Sequence, residues 1–416
     1  MFKFINICFI VLFLLSPMIP RFDSIDIIGP QWFFISCINL MFSSFLMSFF
    51  YSLYFKFIAS FNSYLSYSYI IFLLICFFSL FIAVNKNISV VDFSRILITF
   101  FSIINLSFAV LHSNLSIKQF FLISVLVHSI ELVFCFSSLF GKLLFDNFLE
   151  ITVFEKEFTG IAGNKNISAA SLCIKLPLIF YLIVTSKKVI YKIFLYFILL
   201  MSFLAVFYLN SRATFISFFI INLFMMMILV YKKRVKTIFL FLLVFFTSLI
   251  INLNSPFFKS SNVLDRASSI EVSYEGSSAR FELWSNAIDY ISLHPLVGCG
   301  IGNWKIQSLP YWKDRLTGYI VPYHAHNDFL ELTAELGIIG GLSYLFIFIS
   351  LLLLLFPRNR LDINLHNPKL YLLLVLTVYT VDSFFNFPLE RPLIQIYFIV
   401  LFSLTYLLNN KFTSRL

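Results

Sequence analysis

HAHNDFLELTAELGIIGGLSYLFIFISLLLLLF, residues 324–356, begins as a polar strip and ends as an unbroken apolar run, with no charge after Glu335. At about 1.5 Å per helical residue, the part from 329 to 356 is long enough to cross the roughly 30 Å hydrocarbon core of a bilayer. Comparable runs recur along the chain. Windows of about 19 residues place twelve spans near 2–19, 31–50, 64–84, 91–111, 118–139, 167–184, 190–209, 213–230, 237–253, 329–356, 370–388 and 392–408. The first has the outline of a signal peptide, with Lys3 ahead of an apolar stretch. However, SPMIPRF (16–22) offers no small-x-small cleavage site, so 2–19 is read as a helix.

Composition agrees. Of the 416 residues 60% are hydrophobic and 12% charged, with mean hydropathy +0.93, whereas a soluble domain is about 45–50% apolar and about 25% charged. The expected fold is an all-α polytopic membrane protein of about twelve transmembrane helices. The 57 phenylalanines exceed what interfacial belts need and are read as lipid-facing bulk. Five of the six cysteines (Cys8, Cys37, Cys76, Cys135, Cys173) fall in apolar spans and Cys299 in a polar loop, so neither a disulfide framework nor a zinc pattern follows. The net charge of +10 is read as an orientation signal rather than as a nucleic-acid surface.

Cations resist translocation and accumulate in cytoplasmic loops. With the N-terminus inside, those loops carry Lys3, Lys56, Lys118, Lys187, Lys188, YKKRVK (231–236), Arg358, Arg360, Lys369, Lys411 and Arg415. The opposite loops carry Arg21, Lys86, Lys142, Lys156 and Lys165, offset by four acidic residues between 146 and 157. Both termini are therefore expected in the cytoplasm and segment 254–328 outside. That segment holds three of the four tryptophans (Trp284, Trp304, Trp312) and three of the six histidines. The expected organisation is a membrane domain over 1–253, one large extracytoplasmic loop domain over 254–328, and three further helices over 329–416.

Within the loop, SSARFELWSNAIDYISLHP (277–295) has a serine able to cap and apolar residues at helical spacing, and Pro295 stops it. Arg280 then lies in the first turn, unfavourably for the helix dipole; it is either merely solvated or used elsewhere. HPLVGCGIGNW (294–304) alternates Gly298, Gly300 and Gly302, but without the context of a P-loop or a Rossmann turn. Asp328 and Glu331 have capping-box spacing, which leaves His326 just outside a helix N-terminus, where a neutral imidazole is favoured and can take a proton. Gly337, Gly340 and Gly341 suit close helix packing in the membrane. A competing reading makes His324 and His326, on one face of an extended strip, metal ligands with Asp328 or Glu331; the sequence does not supply a clear set of three or four. Arg212 in LNSRATF (209–215) is functional or snorkelling. TGIAGNKNISAA (159–170) and DSFFNFPLERP (382–392) bring Asn164, Lys165, Asn166, Asp382, Asn386, Glu390 and Arg391 to the same outer face. His128 and Glu131, inside a span, are read as a satisfied structural pair. Cations, an imidazole, glycines and aromatics at one membrane surface suit a lipid-borne diphosphate.

GNKNISAA (163–170), SRATF (211–215), SSARFELWSNAIDYISLHPLVGCGIGNW (277–304) and HAHNDFLELTAELGIIGG (324–341), in this order among about twelve spans, resemble the O-antigen ligase and O-antigen polymerase superfamily. The resemblance implies a metal-independent, cofactor-free membrane glycosyltransferase of GT-C-type architecture in the bacterial inner membrane, with the loop domain periplasmic. Its partners would be an undecaprenyl-diphosphate-linked glycan donor, an acceptor that is lipid A core or a lipid-linked repeat unit, and membrane lipids. Nucleic acid has no part in it. Carried over position by position, the catalytic residues are His326, Arg280 and Arg212. Substrate contacts are expected from His324, whose position the family fills less uniformly, and Asn327, and from Gly300, Gly302, Asn303 and Trp304 in the glycine loop. Asn164, Asn166 and Arg391 complete the set. The alternatives are a protein O-oligosaccharyltransferase using the same donor and a lipid-linked-oligosaccharide flippase. A transporter would place its site at mid-membrane, often between inverted repeats; the polar constellation here lies outside and no repeat is visible.

Overall fold

The computed structural model describes residues 1–145, 158–255, 274–312, 323–356 and 364–410, with backbone alone for 138–145 and 274–279. Lys156, the acidic residues of 146–157, Arg358, Arg360, Lys411 and Arg415 lie outside the described residues, as do Lys142's side chain and much of 254–328. The described residues form helices and no strand. In chain order the helices are α1 Phe2–Leu15, α2 Ile28–Phe49, α3 Tyr51–Ala59, α4 Tyr64–Ile82, α5 Lys86–Ser113, α6 Ile117–Phe145, α7 Lys165–Thr185 and α8 Val189–Leu209. They continue with α9 Arg212–Tyr231, α10 Val235–Leu253, α11 Tyr274–Leu293, α12 Trp304–Gln307, α13 Leu309–Trp312, α14 Asp328–Leu355, α15 Pro368–Phe385 and α16 Pro392–Asn409.

Eleven of these are long and apolar enough to cross a membrane. The chain is thus a polytopic, all-helical membrane protein. The expected first span is the exception: α1 passes into a 3₁₀ turn at Ser16–Met18, and the apolar helix stops at 17 residues. Pro17 stands at this change, where it has no N–H to give to the α-helical ladder and its ring crowds the carbonyl four residues back. α7 and α16, each 89% buried over their apolar windows, form the middle of the bundle, and α10, at 17%, is peripheral.

Inside the bundle, polar side chains join helices because no water is present to satisfy them. Asn105 on α5 donates to Asn39 Oδ1 on α2 (3.0 Å) and accepts from Tyr54 on α3 (2.6 Å). The larger polar group joins α6 and α7. Lys175 ion-pairs with Glu131, both 1% exposed, and Ser171 donates to the same carboxylate (2.7 Å). The expected His128–Glu131 pair is present at ion-pair distance, and Lys175 adds a closer partner. His128 Nδ1 stands 3.9 Å from Glu131, beyond hydrogen-bond range, and Nε2 bonds Ser202 of α8 at 2.7 Å. Glu131's close partner is Lys175, which nothing local in the sequence singles out.

Two further expectations change. α11 begins at Tyr274, so Arg280 lies in its second turn and not against the exposed N–H groups of the first. In α14, Gly337 (φ 74°, ψ 175°) breaks the helix into 328–336 and 338–355. Its role is backbone contact with a loop rather than packing between spans: a Cβ there would meet Leu296 O at 2.3 Å, and Ile338 N donates to Pro295 O (2.9 Å). Gly340 and Gly341 are needed because the break folds α14 back on itself, where added Cβ atoms would strike Leu336 and Thr333. The segment 328–336 is thereby released from the span. It packs on the 298–304 loop through Cys299 N to Ala334 O (3.2 Å) and Gly300 N to Glu335 O (2.8 Å).

Candidate active site

Asn327, not Asp328, caps α14: its side chain accepts from Leu330 N at 3.1 Å. The frame is one residue earlier than the capping-box spacing suggests, because His326 takes a left-handed turn (φ 52°) that starts the helix at Asp328. Glu331 therefore does not return to the cap; it accepts from Ala325 N (2.8 Å) and faces His324 Nδ1 (2.9 Å). Asp328 Oδ2 accepts from Leu389 N (3.3 Å) and so holds the 388–390 turn. Asn327 is buried as a cap, not presented as a substrate contact.

The turn at His326 also separates the two imidazoles, which an extended strip would have placed together. Both meet the ring of Phe387, His324 stacked on it (centroids 3.9 Å) and His326 edge-on (5.1 Å). Their surroundings are opposite. His324 joins an ion-pair cluster with Glu331 and Glu390. Lys305 bonds Glu390 (2.9 Å) and Asp92 (3.2 Å), and Arg95 bonds Asp92 (2.6 Å). Burial opposes a charged His324, but Glu331 and Glu390 outweigh it and hold its pKa above the usual histidine value. Burial likewise opposes ionised Glu390, but His324, Lys305 and Arg95 bring it down to about 2. His324 thus faces Glu331 through Nδ1 (2.9 Å) and Glu390 through Nε2 (3.7 Å), two carboxylates that favour its protonated form.

His326 faces the other way, into a cleft lined by Asn164, Asn166, Asp382, Asn386, Phe387 and Arg391. Burial first, then Arg280, His324 and Arg391, lower its pKa to about 4, so it is neutral at pH 7. Its Nδ1 is buried with no hydrogen-bond partner among the described residues, and the same holds for Arg391 Nε and Arg212 Nε. Arg391 lies over Phe387 (4.3 Å), and Arg280 lies over Phe385 of α15 (5.9 Å). Burial, then the neighbouring Arg212 charge, lowers the pKa of Arg280, while Asp382 opposes this. Asp382 is 4% exposed; Oδ1 accepts from Asn386 (2.6 Å) and Oδ2 is unpartnered among the described residues. Asn164 caps α7 by accepting from Asn166 N (2.9 Å), which turns a helix N-terminus toward the cleft. The cleft holds about 40 Å³, a few waters' worth, so a larger ligand needs its walls to part.

The glycine loop is placed differently from expectation. Asn303, 0% exposed, donates to Ser89 (2.6 Å) and accepts from Asn85 N (2.7 Å), and Trp304, 1% exposed, donates its backbone N–H to Glu335 (3.0 Å). Gly300 and Gly302 have positive φ, and Cβ atoms there would meet Ala83 at 2.6 Å and Asp92 at 2.1 Å. These four residues fasten the loop onto α4, α5 and α14; they do not line the His326 cleft. A second small chamber, walled by Asp92, Glu331, Glu335 and Glu390, lies across Phe387 from it. The donor atoms of His324, Glu331 and Glu390 lie within 4.8 Å of one another, the one grouping of this kind among the described residues that could hold a cation. Lys305, Arg95 and His324 already neutralise its carboxylates, and His326 is not part of it.

Residues 196–345 match the family model described as O-antigen ligase. Over that segment, about a third of the chain, the protein is similar to the O-antigen ligase family. No curated protein matches it. The matched segment contains Arg212, Arg280, His324 and His326; Asn164 precedes it, and Asp382, Asn386, Phe387 and Arg391 follow it. The cleft therefore combines matched and unmatched parts of the chain. Phe387 had no signal of its own among 57 phenylalanines. Lys305 had none either, because its carboxylate partners are remote in sequence.

Proposed function

We propose that this O-antigen ligase-type membrane enzyme is an inverting, metal-independent glycosyltransferase. It moves a glycan from an undecaprenyl-diphosphate donor to an acceptor sugar, either lipid A core or another lipid-linked repeat unit. We place it in the bacterial inner membrane with both termini cytoplasmic and 254–328 periplasmic. The observation carrying the reading is the neutral, unpartnered His326 in a cleft shared with Arg391 and the α7 N-terminus, with Arg280 nearby.

The donor already has a good leaving group. The remaining tasks are to remove the acceptor's hydroxyl proton and to stabilise the departing diphosphate. His326 takes the proton through its free Nδ1; the acceptor oxygen forms the new bond to the anomeric carbon as the carbon–oxygen bond to diphosphate breaks. The diphosphate leaves with the electron pair, and guanidinium forks hold it. Arg280, Arg391 and Arg212 are the candidates. His324 acts indirectly, since its charge helps keep His326 neutral.

The test is transfer by purified protein from a lipid-linked donor, with surface glycan profiling of a deletion strain. A polymerase deletion leaves single repeat units on core; a ligase deletion leaves bare core and accumulates lipid-linked polymer. Transfer should survive EDTA. If chelation abolishes it and a divalent ion restores it, the His324–Glu331–Glu390 group becomes a metal centre. Arg280→Lys should lose transfer at least about tenfold, because an ammonium cannot replace a planar fork, while thermal stability stays close to wild type. Full activity in Arg280→Lys would remove the two-pronged contact from the mechanism.

A further inference from the structure

At the end of the bundle opposite the histidines, α8 and α10 begin and α9 ends. Lys187, Lys188 and Lys192 stand at the start of α8. Lys232, Lys233, Arg234 and Lys236 occupy the turn from α9 into α10, which Lys233 closes with a positive φ of 52°. α8 and α10 start side by side and pack along each other, so the two sets face one region. No acidic residue occurs between Glu157 and Asp265, and none of these cations pairs with a carboxylate among the described residues. Lys188 and Lys232 instead lie over Tyr191 (5.7 Å) and Tyr231 (5.3 Å).

Helix stability does not account for the cluster. Lys188 and Arg234 are the N-cap residues of α8 and α10, neither makes a side-chain cap, and a cation there opposes the dipole. The cluster is also the densest at that end: the α3–α4 and α5–α6 connections carry one flanking lysine each, Lys56 and Lys118, with Lys118 engaged with Thr185 O (2.9 Å), and the sequence between α14 and the start of α15 carries Arg358, Arg360 and Lys369 alongside Asp362. Directly beyond the cations the helix faces are apolar and exposed: Ile190 69%, Ile193 59%, Val235 71% and Phe239 66%. A ligand here meets uncompensated positive charge at headgroup depth and hydrocarbon-seeking surface beneath it.

We propose that the α8 start and the α9–α10 turn bind the headgroups of anionic phospholipids, which supply the missing negative charge while their acyl chains cover the exposed faces of α8 and α10. This depends only on the chain's being a membrane protein, and stands or falls separately from the glycosyl-transfer reading. Each cation near such a surface changes affinity by about fivefold.

Full-length protein purified in detergent is titrated with phosphatidylglycerol or phosphatidylcholine, and bound lipid is counted by native mass spectrometry. Phosphatidylglycerol should be retained over phosphatidylcholine. Retention should fall by about two orders of magnitude or more in the Lys187→Gln/Lys188→Gln/Lys232→Gln/Lys233→Gln variant, persist in the corresponding arginine variant, and weaken as salt is raised. Equal retention of the two lipids, or wild-type retention in the glutamine variant, overturns the proposal. Should that variant not fold, the wild type still decides: a preference for phosphatidylglycerol insensitive to salt overturns it, as does full displacement of the lipid by inorganic phosphate at comparable concentration.

Discussion

His326→Ala is expected to slow the chemical step by about two to four orders of magnitude while leaving donor binding nearly unchanged. In the proposed mechanism the acceptor then loses the group that takes its proton, whereas the diphosphate keeps its arginines. The same imidazole sets a pH signature. Only neutral histidine can act as a base, so activity is present above its pKa and lost as pH falls through it. In the free protein that pKa is about 4, lowered by burial and then by Arg280, His324 and Arg391. A bound diphosphate offsets those cations and makes protonation easier. The acid limb of kcat/KM, which reports the free enzyme, should therefore lie near 4, and the limb of kcat, which reports the complex, should lie higher. Steady-state rates over the acid range, with thermal melts to separate unfolding, measure both. A stably folded His326→Ala protein with near-normal turnover ends the assignment. His324 could then serve only if its pairs with Glu331 and Glu390 opened.

The second large effect lies far from that cleft. Lys175→Ala leaves the Glu131 carboxylate 1% exposed inside the bundle without its partner. Breaking one side of a buried pair costs about 3–5 kcal/mol, enough to remove much of the stability of an ordinary domain. The detergent-solubilised variant should unfold at clearly lower temperature or denaturant concentration. Lys175→Met combined with Glu131→Leu should recover most of the loss, since a buried ion pair can be exchanged for packed apolar side chains at little cost. A single variant as stable as wild type would mean that water or another group compensates Glu131. Equal loss in the single and double variants would point to packing around Tyr397, which lies 4.9 Å from the ammonium, rather than to charge.

Gly337 shows how far sequence reading reaches. Its position in LGIIGG (336–341) suggested helix packing, yet its positive φ and its contact with Leu296 make it the hinge between a surface helix and a span. No periodicity reports that, because the contact comes from a loop some forty residues earlier in the chain. The same limit separates Asn327 from Asp328 as the cap: either residue type serves, and the backbone angle of His326 chooses.

Local and additive properties were decided by the sequence alone. Apolar run length located eleven helices long and apolar enough to cross a membrane and a shorter apolar one, α1 with its 3₁₀ turn, of 17 residues. Residue type and order carried the ligase resemblance and gathered Asn164, Asn166, His326 and Arg391, which the tertiary structure brings to one cleft. Only that structure could decide which charges neutralise which. Glu131 and Lys175 are 44 residues apart on different helices, and Lys305 and Asp92 are 213 apart. It made His324 an ion-paired hub while leaving His326 Nδ1, two residues on, without a hydrogen-bond partner among the described residues. It also turned Asn303 and Trp304 inward. The physical reason is the low-dielectric interior of a helix bundle, where every polar atom needs a partner, and the partner is whatever the packing of distant helices brings within reach.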